Sequence, residues 1–181
     1  DNIGASLAQI GLLTEQVEQA MHDPAEMRAQ LDRIFHISHA TAKELDTVVW
    51  AVDPSNDTLE EFARYVHGYA EDYLARAGCL GHFPTTDSMP EIHLPASLRH
   101  HLLMVVKEAL HNVAEHAAAT LVTLRIGLEQ QQIRLEIADD GRGLPSAETM
   151  RPGNGLQNMR NRAAEIGGTC EFLRPESGKG T

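Results

Sequence analysis

Long apolar runs are missing from this chain of 181 residues. None approaches the roughly 18 uninterrupted apolar residues that a membrane span needs, and no basic segment leads into an apolar one near Asp1. Any attachment to a membrane is therefore expected only through parts of a longer protein outside this sequence. Basic residues are scarce as well, 15 against 26 acidic ones for a net charge of −11. That balance repels a polyanion and leaves no basic stripe, so direct contact with nucleic acid is not expected. A nucleotide is still compatible with an acidic chain, provided a divalent cation and backbone N–H groups meet its phosphates locally. Cysteine is limited to Cys79 and Cys170, whose separation fits no disulfide or metal framework, and a reducing, cytoplasmic setting is the default expectation. Internal repeats and low-complexity tracts are absent too. What is present, 42% apolar content, is enough to bury a sizeable core in one domain or two small ones.

The apolar positions Ile3, Leu7, Ile10, Val17 and Met21, with Thr14 as the polar member, alternate steps of four and three and predict a helix with a narrow seam. Asp23-Pro24 then supplies an N-cap and a proline suited to a first helical position, and Met27, Leu31, Ile34, Ser38, Leu45 and Val48 resume the spacing. An antiparallel helical hairpin is expected. Its further apolar residues, Leu13, Phe35 and Val49 among them, exceed what one hairpin can cover, which points to a homodimeric four-helix bundle; packing on the rest of the same chain is the alternative.

Asp53-Pro54-Ser55-Asn56-Asp57 breaks the helical pattern, and Thr58 with Glu61 forms a capping-box signature. The domain boundary is placed there, giving a hairpin over 1–57 and a second domain over 58–181. Within the second domain the patterns predict a helix to about Ala77, one short strand before Pro95 and a helix over 97–117 carrying Leu98, Leu102, Val105, Ala109 and Val113. A hairpin of strands follows, with Val122, Leu124, Ile126 and Leu128 facing Ile133, Leu135 and Ile137 across a Gln-rich turn. A loop over 144–155 precedes a helix bearing Leu156, Met159, Ala163 and Ile166, which Gly167-Gly168 ends, and Thr169–Leu173 reads as another strand. The fold class is α+β.

Positions 133, 135, 137 and 139 share one strand face, so Asp139 points toward the core side at the strand end. A carboxylate there is costly unless it accepts hydrogen bonds. The exocyclic amine of an adenine would supply one; capping its own turn is an equal alternative. Glu108, Asn112 and His116 recur at i, i+4 spacing, a polar stripe able to orient water, hold Mg2+ and touch a phosphate, or simply a solvated face. Gly153 and Gly155 precede a helix whose N–H groups favour anions, and Gly178-Lys179-Gly180-Thr181 is another small-residue turn.

Taken in order, Lys107-Glu108-Ala109-Leu110-His111-Asn112, Asp139-x-Gly141-x-Gly143, Gly153-x-Gly155-Leu156 and Gly178-x-Gly180-Thr181 resemble the ATP-binding domain of histidine kinases, gyrase, the Hsp90 chaperone and MutL. The front half, through Asp1-Asn2-Ile3-Gly4-Ala5-Ser6-Leu7 and Trp50-Ala51-Val52-Asp53-Pro54, is similar to sensor histidine kinases of the nitrate/nitrite-sensor type. The resemblance implies an α/β sandwich ATP-binding domain, a mixed sheet with helices on one face, behind the dimerisation hairpin. It also implies ATP and Mg2+ as cofactors: Asn112 would bind Mg2+, Asp139 the adenine amine, and Gly141 and Gly143 would admit the base. His116 and Thr181 would approach the nucleotide, Gly153, Gly155 and Leu156 would begin the helix under a lid, and Glu108 would orient or deprotonate the attacking group.

By the same resemblance a phosphoacceptor histidine would sit immediately before Asp1, which would hold that imidazole in its nucleophilic tautomer. The sequence as it stands is then expected not to phosphorylate itself, and His36 and His39 are poor substitutes. Ala5 stands where many relatives carry a Gln implicated in dephosphorylating the partner, so weak phosphatase activity is expected. The implied activity is autophosphorylation followed by transfer to an aspartate of a response regulator receiver domain. A non-catalytic ATP-binding dimerisation module and a gyrase- or chaperone-like ATPase are the competing readings.

Overall fold

The computed structural model describes residues 2–20, 23–84, 89–143, 155–173 and 180–181. Asp1, Met21, Gly153, the loop over 144–154 and Gly178-Lys179 lie outside them. The chain forms two compact units, Asp1–Val52 and Asp53–Thr181.

The first unit is a helical hairpin of α1 (Asn2–Gln19) and α2 (Pro24–Val52). Asp23 caps α2 as its sequence suggests, its Oδ1 accepting from the N–H groups of Ala25 and Glu26 at 3.0 and 3.2 Å. Of the expected seam, Ile3, Ile10, Val17, Met27, Ile34 and Val48 are covered, whereas Leu7, Thr14, Leu31, Ser38 and Leu45 are exposed. On α1 the covered positions are Ile3, Ser6, Ile10, Leu13, Val17 and Ala20, with Leu13 the most buried, and on α2 they are Met27, Gln30, Ile34, Ile37 and Thr41. Leu7, expected in the seam, is 58% exposed. Both helices carry two adjacent apolar stripes, and periodicity alone does not say which faces the partner helix. The second stripe, Leu31, Phe35, Leu45, Val49 and Val52 on α2, is exposed.

In the second unit Asp53 caps a short 3₁₀ turn, Pro54–Asn56, and Thr58 caps α3 (Leu59–Arg76), with Glu61 N–H donating to Thr58 Oγ1 at 3.2 Å. Gly78, at φ +75°, ends α3, and Cys79 N–H closes onto Leu74 O at 2.9 Å. Strand β1 (Leu80–His82) runs parallel to β2 (Leu121–Glu129), which pairs antiparallel with β3 (Gln132–Asp139) in a mixed sheet ordered β1-β2-β3. Gln130 and Gln131 both take positive φ, the geometry a two-residue hairpin turn requires. Val122, Leu124 and Ile126 are buried, and Asp139 stands directly opposite Val122, so the inward parity expected for Asp139 holds.

Helix α4 (Ala96–Asn112) runs into a π-helical turn, Val113–Ala117, and packs against α3 and α5 (Gly155–Glu165). Its buried row is Arg99, Leu103, Val106, Leu110 and Val113; of the expected row Val113 is buried, while Leu98, Leu102, Val105 and Ala109 are half-buried. This helix too is apolar on two neighbouring faces. Helix α5 buries Met159 and Ala163 and ends at Gly167-Gly168: Gly167 takes φ +73° and Gly168 N–H reaches Ala163 O at 2.9 Å. Residues 169–173 are not a strand. Burial alternates there as a strand's would, with Cys170 and Phe172 half-covered and Arg160 5.0 Å from the Phe172 ring, but alternation needs only extended chain, whereas a strand needs a ladder partner.

Candidate nucleotide-binding site

Glu108 and Asn112 lie on the last turns of α4, and Gly155, the first residue of α5, abuts both. A Cβ on Gly155 would collide with Glu108 Oε1 and stand 3.7 Å from Asn112 Nδ2. Asn112 Nδ2 is buried and has no hydrogen-bond partner among the described residues. A buried amide without a partner costs about 1–3 kcal/mol, so its position asks for a ligand. Rotating an amide by 180° exchanges its donor and acceptor ends, so this end suits a phosphate oxygen as it stands and a cation after rotation. His116, the third member of the stripe, falls on the wider π turn, where i, i+4 alignment is lost; its ring is exposed, and its carbonyl accepts from Arg142 Nε.

The turn after β3 is fastened to the end of that helix. Arg142 N–H donates to Ala117 O at 2.9 Å, satisfying one of the carbonyls a helix end leaves open. Asp139 Oδ1 accepts from Gly141 N–H at 2.9 Å, so the turn-capping alternative is realised by one of its two oxygens. Asp140, on the opposite parity, clamps the start of β2: its Oδ1 accepts from the N–H groups of Thr120 and Leu121 at 2.7 and 2.9 Å, and Oδ2 from Thr120 Oγ1 at 2.5 Å. Those bonds, the Thr120 hydroxyl foremost, hold its carboxyl down at about 2. The sequence reading passed over Asp140, Thr120 and Arg142; the signal available was the second Asp of the pair, which strand parity turns away from Asp139.

The glycines of this turn serve first to let backbones meet. A Cβ on Gly141 would collide with Ala117 O and lie 2.8 Å from Asp139 Oδ1; one on Gly143 would lie 2.7 Å from Gly180 O; one on Gly180, at φ +85°, would collide with Asp139 O. Gly180 N–H donates to Gly141 O at 2.7 Å, and Asp139 N–H to Thr181 O at 3.0 Å. The chain end and the Asp-Asp-Gly-Arg-Gly turn are thus one packed unit. Leu156 is half-buried beside Gly155.

On the outer side of α4, Lys107 Nζ sits 4.9 Å from the Tyr69 ring, which stacks on Tyr73, and Tyr73 Oη lies 3.4 Å from His111 Nδ1. Burial pushes the Tyr69 hydroxyl up to about 12, so Tyr69 stays neutral at neutral pH. Among the described residues no group of three His, Cys, Asp or Glu could hold a metal ion. Mg2+ suits such a place when substrate phosphates and water supply most of its ligands, with one or two from the protein.

Comparisons with known proteins agree with this arrangement. Residues 98–181 match the family of histidine kinase-, DNA gyrase B- and HSP90-like ATPases. The chain is 42% identical to the sensor histidine kinase LiaS of Bacillus subtilis over 81 residues, which are 45% of this chain and 22% of that protein. It is 27% identical to the nitrate/nitrite sensor protein NarX of Escherichia coli across 98% of this chain and 29% of NarX. The chain therefore spans under a third of the length of these relatives. The fold is that of the blue-light activated histidine kinase of Erythrobacter litoralis, whose kinase domain superposes with a TM-score of 0.51 at 17% identity, covering 92% of this chain and 83% of that one. Glu108, Asn112, Asp139 and Gly155 all lie inside the segment that matches the histidine kinase-, DNA gyrase B- and HSP90-like ATPases, which reads as an ATP-binding domain, and the chain as a whole is similar to sensor histidine kinases.

Proposed function

We propose that this chain is the kinase core of a two-component sensor: it moves the γ-phosphoryl group of ATP to a histidine nitrogen, from which an aspartate of a response regulator receives it. The observation that carries the reading is Asn112 Nδ2, buried without a hydrogen-bond partner among the described residues where Gly155 brings the start of α5 against Glu108. Asn112, with its amide oxygen turned to the site, would hold Mg2+, which would supply charge neutralisation for the phosphates. The second oxygen of Asp139 accepts from the adenine amine while the first caps the turn, and Gly141 and Gly143 line the base. Gly153, Gly155 and Leu156 present the α5 N-terminus to the phosphates, with His116 and Thr181 at the margin. Glu108 orients the attacking imidazole. Asp1 keeps that ring in the tautomer whose free nitrogen attacks phosphorus and takes the proton it releases as the bond to the ADP oxygen breaks.

The exposed row Leu31, Phe35, Leu45, Val49 and Val52 supports assembly of two hairpins into a four-helix bundle. No described helix is long and apolar enough to cross a membrane; we place this core on the cytoplasmic side of a membrane-anchored sensor. Ala5, with a methyl where an amide would orient water, makes the phosphatase activity weak.

The test is incubation of the chain, extended upstream to include the residue before Asp1, with γ-labelled ATP. An acid-labile, base-stable adduct is the expected product; release of free phosphate alone would make the domain an ATPase, and retained nucleotide with neither product a binding module. Asn112→Ala should weaken MgATP binding roughly tenfold or more, the value of a hydrogen bond to a charged group, while leaving the unfolding midpoint unchanged or raised.

A further inference from the structure

Between the hairpin and the ATP-binding domain, Asp53-Pro54-Ser55-Asn56-Asp57 has the composition of a loose linker, but it is stitched into the second unit at several points. Asp53 Oδ1 accepts from Ser55 N–H at 2.9 Å and Ser55 Oγ at 2.8 Å, bonds that hold its carboxyl below the ordinary range. Leu94 N–H donates to Asp57 O at 2.5 Å, Leu59 N–H to Ile92 O at 2.9 Å, and Thr58 bridges His93. His93 Nδ1 lies 2.9 Å from Asp57 Oδ2.

At the centre is Arg99, only 2% exposed. Its guanidinium donates from Nη1 to Leu94 O at 2.7 Å and from Nη2 to Asp53 O at 3.0 Å, tying the first residue of the unit to the segment that leads into α4. A buried arginine is costly to keep, and the planar fork is suited to gripping two fixed carbonyls at once, which a single ammonium does less well. Arg99 stands on the same helix as Glu108 and Asn112, in the buried row with Leu103, Val106 and Leu110. The group that holds the linker and the groups proposed to meet the phosphates therefore share one rigid element.

We propose that Arg99 is a positioning residue for phosphotransfer: it makes residues 53–58, the segment that follows the hairpin, part of the same body as Glu108 and Asn112. This rests on the kinase reading above. A five-residue flexible tether would let the bound ATP wander relative to the histidine, and orientation of that kind governs the chemical step rather than binding.

The test uses the sensor protein with its acceptor histidine and the variants Arg99→Met and Arg99→Lys. Arg99→Met should lower the first-order autophosphorylation rate at saturating ATP tenfold or more and leave nucleotide affinity within twofold, with Arg99→Lys recovering part of the rate. Hydrogen exchange should show the Leu59 and Leu94 amides losing protection while those of Leu124 and Ile126 keep it. An unchanged rate, or a rate that falls only in step with affinity, overturns the proposal. Should Arg99→Met not fold, Asp53→Ala, an exposed change that loosens only the 3₁₀ cap, must still lower the rate without altering affinity; equal rates overturn it. If the parent protein makes no phosphohistidine, the kinase reading fails and takes the positioning role with it, and hydrogen exchange then reports on the latch alone.

Discussion

The two units of this chain close their cores by different means. In the ATP-binding unit Leu59, Phe62, Leu74, Leu103, Leu110 and Leu124 are fully buried. In the hairpin the seam between α1 and α2 buries Leu13 and Thr41, while Phe35 and Val49 remain 65% and 63% exposed. One unit carries its stability within itself; the other leaves a row of apolar side chains that only another surface can cover, so its stability should depend on concentration.

The largest expected effect tests the self-contained half. Phe62→Ala should cost about 3–5 kcal/mol in urea unfolding of the ATP-binding unit, because Phe62 is fully buried and its removal leaves a cavity in the core. A loss under about 1 kcal/mol would mean this core is far more yielding than its burial implies.

Next in size is a pair of glycines that look alike in sequence and differ in surroundings. Gly141→Ala drives a methyl into Ala117 O, a backbone atom already bonded to Arg142 N–H, and should cost about 1–3 kcal/mol of stability. Gly155→Ala meets only the end of the Glu108 side chain, which can swing aside. It should leave the unfolding midpoint almost unchanged and lower the phosphorylation rate, since Glu108 is displaced. Equal losses of stability in the two variants would erase the distinction.

The same contrast explains how much the sequence disclosed. Features fixed by neighbours in the chain were legible: the Thr58 cap, the Gly167-Gly168 helix end, the Gln130-Gln131 turn and the strand parity that turns Asp139 inward. Features fixed by distant contacts were not. Helices α1 and α4 carry apolar residues on two adjacent faces, so the packed row, with Leu13 in one and Leu103 and Val106 in the other, depends on what lies opposite. Residues 53–57 read as a break because Pro, Ser and Asn disfavour helix; nothing local discloses that Arg99, far along the chain, grips them. Within the site, the glycines were legible as close-approach positions, but their closest approach is to Ala117, Asp139 and Gly180 of the same chain.

A third prediction tests the dependent half. Phe35→Asp combined with Val49→Asp places charges in the exposed row and should weaken self-association at least about a hundredfold by sedimentation, as expected for losing two buried apolar side chains per copy. MgATP affinity and the unfolding midpoint of the ATP-binding unit should not move. A dimer that survives both substitutions would place the interface on another face.

The smallest effect concerns the clamp that ties the Asp-Asp-Gly-Arg-Gly turn to β2. The Asp140 carboxyl is lowered from 3.8 to about 2 by its bonds to Thr120 and Leu121, so folding favours its ionised form. Its stabilising contribution is complete above 3.8 and is lost as pH falls toward about 2, when the folded protein must take up the proton. Asp140→Asn keeps the shape and one oxygen acceptor for the N–H groups but removes the charge that strengthens them. The urea midpoint of the ATP-binding unit should therefore lie slightly below that of the parent at neutral pH, and the gap should close on acidification through that window. A gap that stays constant from neutral pH to about 2 would mean the three bonds to Asp140 contribute through geometry alone, with its charge irrelevant.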